Sequence, residues 1–131
     1  MLRTLLATVL LGTALASAQS QPRTIAVLAD HDSRYKIDGH ASPTITLTAG
    51  EDVHFVITAV KAKTHNRDGS IHGFAMLRKD GSKVSGWDLL LKPGVQEFTL
   101  RAPSEPGEYR VVCTVICSAG HEDMQMKVIV Q

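Results

Sequence analysis

The chain predicts an all-β domain, an antiparallel sandwich or barrel. Three observations carry that expectation: short runs rich in β-branched and aromatic residues, alternation of apolar and polar side chains within them, and Gly or Pro turn signals between them. Its 131 residues suffice for one domain with a real core and are too few for two of ordinary size.

Residues 1–18 stand apart from that rhythm. Met1-Leu-Arg3, a leucine- and alanine-rich run over 4–15 and the small residues Ala16-Ser17-Ala18 have the layout of a secretory signal peptide, with cleavage expected after Ala18. The apolar run falls short of the roughly 20 residues that span a bilayer, and no cysteine follows it for lipid attachment. The mature domain is therefore expected over 19–131, without a transmembrane helix, in a periplasmic or secreted and oxidising location.

Without Arg3, the fourteen basic side chains become thirteen against thirteen acidic ones. A balance near zero recruits neither nucleic acid nor an anionic membrane.

After a polar leader, strands are expected over 24–29, 44–48, 53–60, 71–77, 95–100, 108–113 and 125–130. Val53, Phe55 and Ile57 alternate with His54, Val56 and Thr58, and Phe98 and Leu100 alternate with Glu97 and Thr99, as half-buried strands do. Ala49-Gly50, Asp80-Gly81, Lys92-Pro93-Gly94 and Glu105-Pro106-Gly107 supply turns. The run 35–38 reads as an early edge strand with no chemistry, and Trp87 as core packing. Residues 61–70 are polar and basic and end just before His72, so they are expected to form an exposed loop near any site there.

The chemistry concentrates in Cys113-Thr-Val-Ile-Cys117-Ser-Ala-Gly-His121-Glu-Asp-Met124. Two thiols, an imidazole and a thioether form a soft donor set that suits copper rather than calcium or magnesium. His72, at the start of a strand after the basic loop, is the candidate donor from outside the loop. His31, His40, His54 and His65 have no motif around them, and Met126 reads as core or edge packing. An oxidising compartment also favours a Cys113 to Cys117 disulfide, which remains the expectation for metal-free, oxidised protein. No nucleophile stands with a base and no open coordination position is evident, so no catalysis is expected.

His72-Gly-Phe74, the turn Pro106-Gly-Glu-Tyr-Arg110 and the loop from Cys113 to Met124 resemble the CuA domain of cytochrome c oxidase subunit II, and also that of nitrous oxide reductase. The resemblance covers about residues 50–131. It implies a Greek-key cupredoxin fold and a mixed-valence centre of two copper ions. By that resemblance Cys113 and Cys117 would bridge the ions as thiolates, and His72 and His121 would each bind one. Met124 and the backbone carbonyl of Val115 would be weak axial ligands, and His121 the port for electrons. The implied partners are redox proteins such as a cytochrome c or a terminal oxidase or reductase. Val115 departs from the pattern, which usually has a polar residue, often Glu, between the cysteines. The absence of transmembrane helices after the signal peptide points to a free-standing domain. Two competing readings use the same donors: a copper storage or delivery protein, and a mononuclear blue-copper site with one cysteine spare.

Overall fold

The computed structural model describes residues 12–15 and 21–131; the expected signal peptide and its cleavage site lie mostly outside the described residues. Ten strands follow in chain order: β1 (Arg23–Ala29), β2 (Tyr35–Ile37), β3 (His40–Ala41), β4 (Thr44–Leu47), β5 (Asp52–Ala59), β6 (His72–Leu77), β7 (Lys83–Leu91), β8 (Gly94–Arg101), β9 (Gly107–Val112) and β10 (Gln125–Val130). Apart from one turn of 3-10 helix at His121–Asp123, the described residues form no helix, and none is long and apolar enough to cross a membrane.

The strands make two five-stranded sheets, ordered β3-β2-β1-β5-β8 and β4-β10-β9-β6-β7. The alternation in β5 does what it predicts: Val53, Phe55, Ile57 and Ala59 are buried while the residues between them are partly exposed. Tyr35 and Phe55 from the first sheet meet Phe74 and Trp87 from the second across the sandwich. Phe55 and Trp87 pack edge to face at 5.4 Å, and Tyr35 packs against Phe74 at 5.6 Å. Trp87 is fully buried and donates its indole N–H to the carbonyl of Arg101 at 2.8 Å.

Two features correct the sequence reading of strand pairing. β1 pairs with β5 in parallel, and β10 pairs with β4 in parallel, so neither sheet is purely antiparallel. Residues 30–51 supply the long connection a parallel pair requires. A further strand, β7, has no expected counterpart. Its alternation is broken where its pairing with β6 shifts register past Ala75, and Gly86 there adopts φ +83°, a conformation that favours glycine.

The run 35–38 also departs from expectation. β2 is covered on its outer side by the two-residue β3, and Tyr35 is fully buried. β1 and β5 end side by side at Ala29 and Ala59. In the second sheet, Ala75 near the start of β6 pairs with Val112 at the end of β9, and β10 begins beside Val112. Those ends carry the candidate site.

Candidate metal centre

His72 opens β6 and is fully buried. Its Nε2 lies 2.7 Å from the carbonyl of Val60, which makes Nε2 the donor and leaves Nδ1 with its lone pair. That Nδ1 is buried and has no hydrogen-bond partner. Burial lowers the His72 pKa, which favours the neutral imidazole that binds metal.

Cys113 follows β9, where its N–H donates to the carbonyl of Met124 at 3.3 Å and continues the β9–β10 ladder for one more bond. The loop then turns back through Cys117 and the 3-10 turn, where Met124 N–H reaches the His121 carbonyl at 3.1 Å. Cys113 and Cys117 are free thiols with sulfurs 3.8 Å apart, and both are buried. The ligand atoms of His72, Cys113 and Cys117 lie within 4.8 Å of one another. Burial pushes the Cys113 thiol up to about 11, with the nearby Cys117 adding to the shift. Its proton points to the carbonyl of Val115, 3.1 Å from the sulfur.

The structure thus brings together His72, both cysteines and the Val115 carbonyl. His121 stands outside the 4.8 Å group, on the 3-10 turn, yet its Nδ1 is likewise buried without a partner. Met124 is fully buried just after that turn. Met126 is core, as expected. His31 pairs with Asp30 and His54 with Thr99 and Glu97, at surface positions away from these atoms. Two buried imidazole nitrogens without partners and two soft sulfurs suit a thiophilic metal and leave little else for these atoms to do.

Several contributors lie outside the expected set. Gly73 N–H donates to the Cys113 sulfur at 3.3 Å, and its carbonyl accepts the Tyr35 hydroxyl. A Cβ at Gly73 would stand 2.2 Å from Thr114 Oγ1 and 2.5 Å from Thr114 N, so only glycine lets β6 approach the cysteine loop. A lone Gly inside a strand pattern is a legible sign of such an approach. Ser33, in the β1–β2 turn, places its hydroxyl 3.3 Å from the Cys117 sulfur. No local pattern marks that serine. The basic loop is bound to the site by its backbone: the Lys63 and Thr64 N–H groups both donate to the Cys117 carbonyl at 3.0 Å, and the Thr64 hydroxyl donates to the Ile116 carbonyl.

No protein family and no curated relative matches the chain. Solved structures do. A 2.1 Å structure of the copper protein rusticyanin aligns with a TM-score of 0.58 and 20% identity over 86% of this chain and 80% of that one. Rusticyanin from Thiobacillus ferrooxidans at 1.27 Å aligns with a TM-score of 0.57 and 20% identity over 86% and 79%. A chain of a heme-copper terminal oxidase dimer aligns with a TM-score of 0.57 and 20% identity over 92% of this chain and 76% of that one. This chain has the cupredoxin fold. In this cupredoxin domain the likeness extends over nearly the whole described chain, including the N-terminal strands where the sequence resemblance to the CuA domain fades. Within this sandwich β1 pairs with β5 in parallel, and the ligand atoms of His72, Cys113 and Cys117 gather within 4.8 Å of one another.

Proposed function

We propose that the chain is an extracytoplasmic electron-transfer protein whose His72, Cys113, Cys117 and His121 hold a mixed-valence CuA-type centre of two copper ions. The observation that supports it is the pair of unbonded, buried thiols 3.8 Å apart beside an imidazole whose Nδ1 has no partner. Copper held there would supply one-electron redox chemistry, with the charge shared where two ions are bound.

The chain's own residues do the rest. The Val60 carbonyl holds the His72 tautomer, so Nδ1 keeps a free lone pair for a metal before any ion arrives. The Val115 carbonyl, 3.1 Å from the Cys113 sulfur, and the buried Met124 would serve as weak donors. Within the loop Cys113, Val115, Cys117 and Met124 are buried, which keeps water from the sulfurs, and the hydrogen bonds to the loop limit rearrangement when charge changes. His121 is half-buried beside exposed Ala119, which suits it as the port for electrons. Ile116, 68% exposed at the loop tip, offers a partner an apolar contact. Redox proteins such as a cytochrome c or a terminal oxidase or reductase are the proposed partners, residues 1–18 the export signal, and catalysis no part of the role.

Copper delivery, the competing function, needs donors that a receiving protein can reach. Cys117 and His72 are 0% exposed, which favours retention over release. The test is metal content and electron paramagnetic resonance on the domain from Gln19 onward, loaded with copper after reduction. Two coppers per chain, with hyperfine structure from one electron shared equally over two nuclei, are expected. One copper per chain, or an oxidised Cys113 to Cys117 pair that takes up none, overturns the reading.

A further inference from the structure

Ser33 is the one fully buried side chain at positive φ among the described residues outside glycine, at φ +57°. Glycine would hold that conformation without strain, and a serine kept there points to work done by its hydroxyl. The hydroxyl lies 3.3 Å from the Cys117 sulfur and 2.6 Å from the Ser118 hydroxyl. The turn that carries it is pinned from several sides. Ser33 N–H donates to the Asp30 carbonyl at 3.1 Å, and Asp30 N–H to the Arg34 carbonyl at 3.0 Å. Arg34 donates to the Ser33 carbonyl at 2.8 Å and to the Gly120 carbonyl at 3.4 Å, which ties the turn to the cysteine loop.

Proton directions follow from what each atom can accept. Gly120 N–H donates to Ser118 Oγ at 3.1 Å, which leaves the Ser118 proton free to point at Ser33. Ser33 then has its own proton for the sulfur. A thiolate only accepts, so binding a metal aligns the row from Gly120 through Ser118 and Ser33 to Cys117.

We propose that Ser33, backed by Ser118, is a positioning residue that donates a hydrogen bond to the Cys117 thiolate and sets the electron density of that sulfur. Cys113 receives the matching bond from Gly73 N–H, so each sulfur carries one donor, each from a different segment. Hydrogen bonds to a ligating sulfur draw electron density from it and favour the reduced metal. This inference rests on the copper reading above, and its test separates the two.

Ser33→Gly, Ser33→Ala and Ser118→Ala are loaded with copper beside the unmodified protein, and the thiolate-to-metal charge-transfer spectrum, reduction potential and metal-free melting temperature are read. Ser33→Gly is expected to melt no lower than the parent, to bind the same amount of copper, and to show a band moved to lower energy and a lower potential. Ser33→Ala is expected to repeat those spectral shifts, and Ser118→Ala to follow in the same direction by less. A Ser33→Gly protein whose spectrum and potential coincide with the parent's overturns the inference and leaves the copper reading intact. Loss of folding in both Ser33 variants with an unshifted Ser118→Ala also overturns it, since the serine is then only structural. If the parent binds no copper the functional reading falls, and cobalt(II) on the same thiols reads the inference instead. An unshifted cobalt charge-transfer band in Ser33→Gly, or no cobalt binding, overturns it.

Discussion

At Gly73 a missing side chain does three things at once. It lets Thr114 approach, frees the N–H for the Cys113 sulfur and offers the carbonyl to Tyr35. Gly73→Ala forces backbone atoms of β6 and the cysteine loop apart, because a Cβ 2.5 Å from Thr114 N cannot be relieved by rotating a side chain. Overpacking of this kind costs about 1–3 kcal/mol. The variant is expected to melt several degrees lower without metal and to lose most copper uptake, measured by thermal denaturation and metal analysis. Tyr35 is the partner that a reading of the run 35–38 as plain edge strand passed over. Burial raises its hydroxyl pKa well above the ordinary value, and charge on the two cysteines adds to the shift, so it stays a protonated donor to Gly73.

Elements act here through the turns that join them. The basic loop between β5 and β6 reads in the sequence as exposed chain near the site, and its side chains are largely exposed. Its backbone, however, holds the Cys117 carbonyl and the Thr64 hydroxyl holds that of Ile116, contacts between residues more than fifty apart that no local pattern announces. Thr64→Val removes one of those bonds. A loss of about 1 kcal/mol predicts roughly fivefold faster release of copper to a chelator, followed by absorbance, with the fold unchanged. On the other side of the site, the β1–β2 turn is stapled by Lys36, which reaches Asp30 at 2.7 Å and Asp32 at 2.8 Å. The Lys36 hydrogen bond first, and His31 after it, hold the Asp30 carboxyl well below its ordinary value of 3.8. A depressed carboxylate contributes stability above that ordinary value and loses it as pH falls below. Asp30→Asn is therefore expected to be less stable than the parent at pH 7, by about 1 kcal/mol after solvent screening. The difference should shrink steadily below about pH 4, in urea titrations followed by the fluorescence of Trp87.

Across the whole molecule, the proposed ligands and their supports come from different layers. His72, Cys113, Cys117 and His121 belong to strands or loops of the second sheet, whereas Val60 and Ser33 follow strands of the first. Metal at the site would therefore link β6 to the β9–β10 loop, and the Val60 and Ser33 hydrogen bonds to its ligands would carry that link to the first sheet. Binding only the folded state raises stability by about 4 kcal/mol at a thousandfold excess over the dissociation constant. For a domain of this size that corresponds to roughly 10–20 °C in melting temperature. Copper loading is expected to raise the thermal midpoint accordingly, and removal by a strong chelator to restore the lower one. An unchanged midpoint would show that the site contributes nothing to holding the sheets.

The β-class of the chain, most of its strands and the soft donors of the last loop are legible in the sequence, because alternation, turn residues and donor spacing are local properties. Gly73 also signals itself, as a glycine inside a strand. The parallel pairing of β1 with β5 and β10 with β4, the broken strand β7 and the burial of Tyr35 were decided in three dimensions, because strand partners are chosen by the packing of whole sheets. The same holds for the site. Its donors are named by their types in the chain, but the free lone pair on His72, the unbonded sulfurs and the serine beside Cys117 exist only where turns from two sheets converge and exclude water.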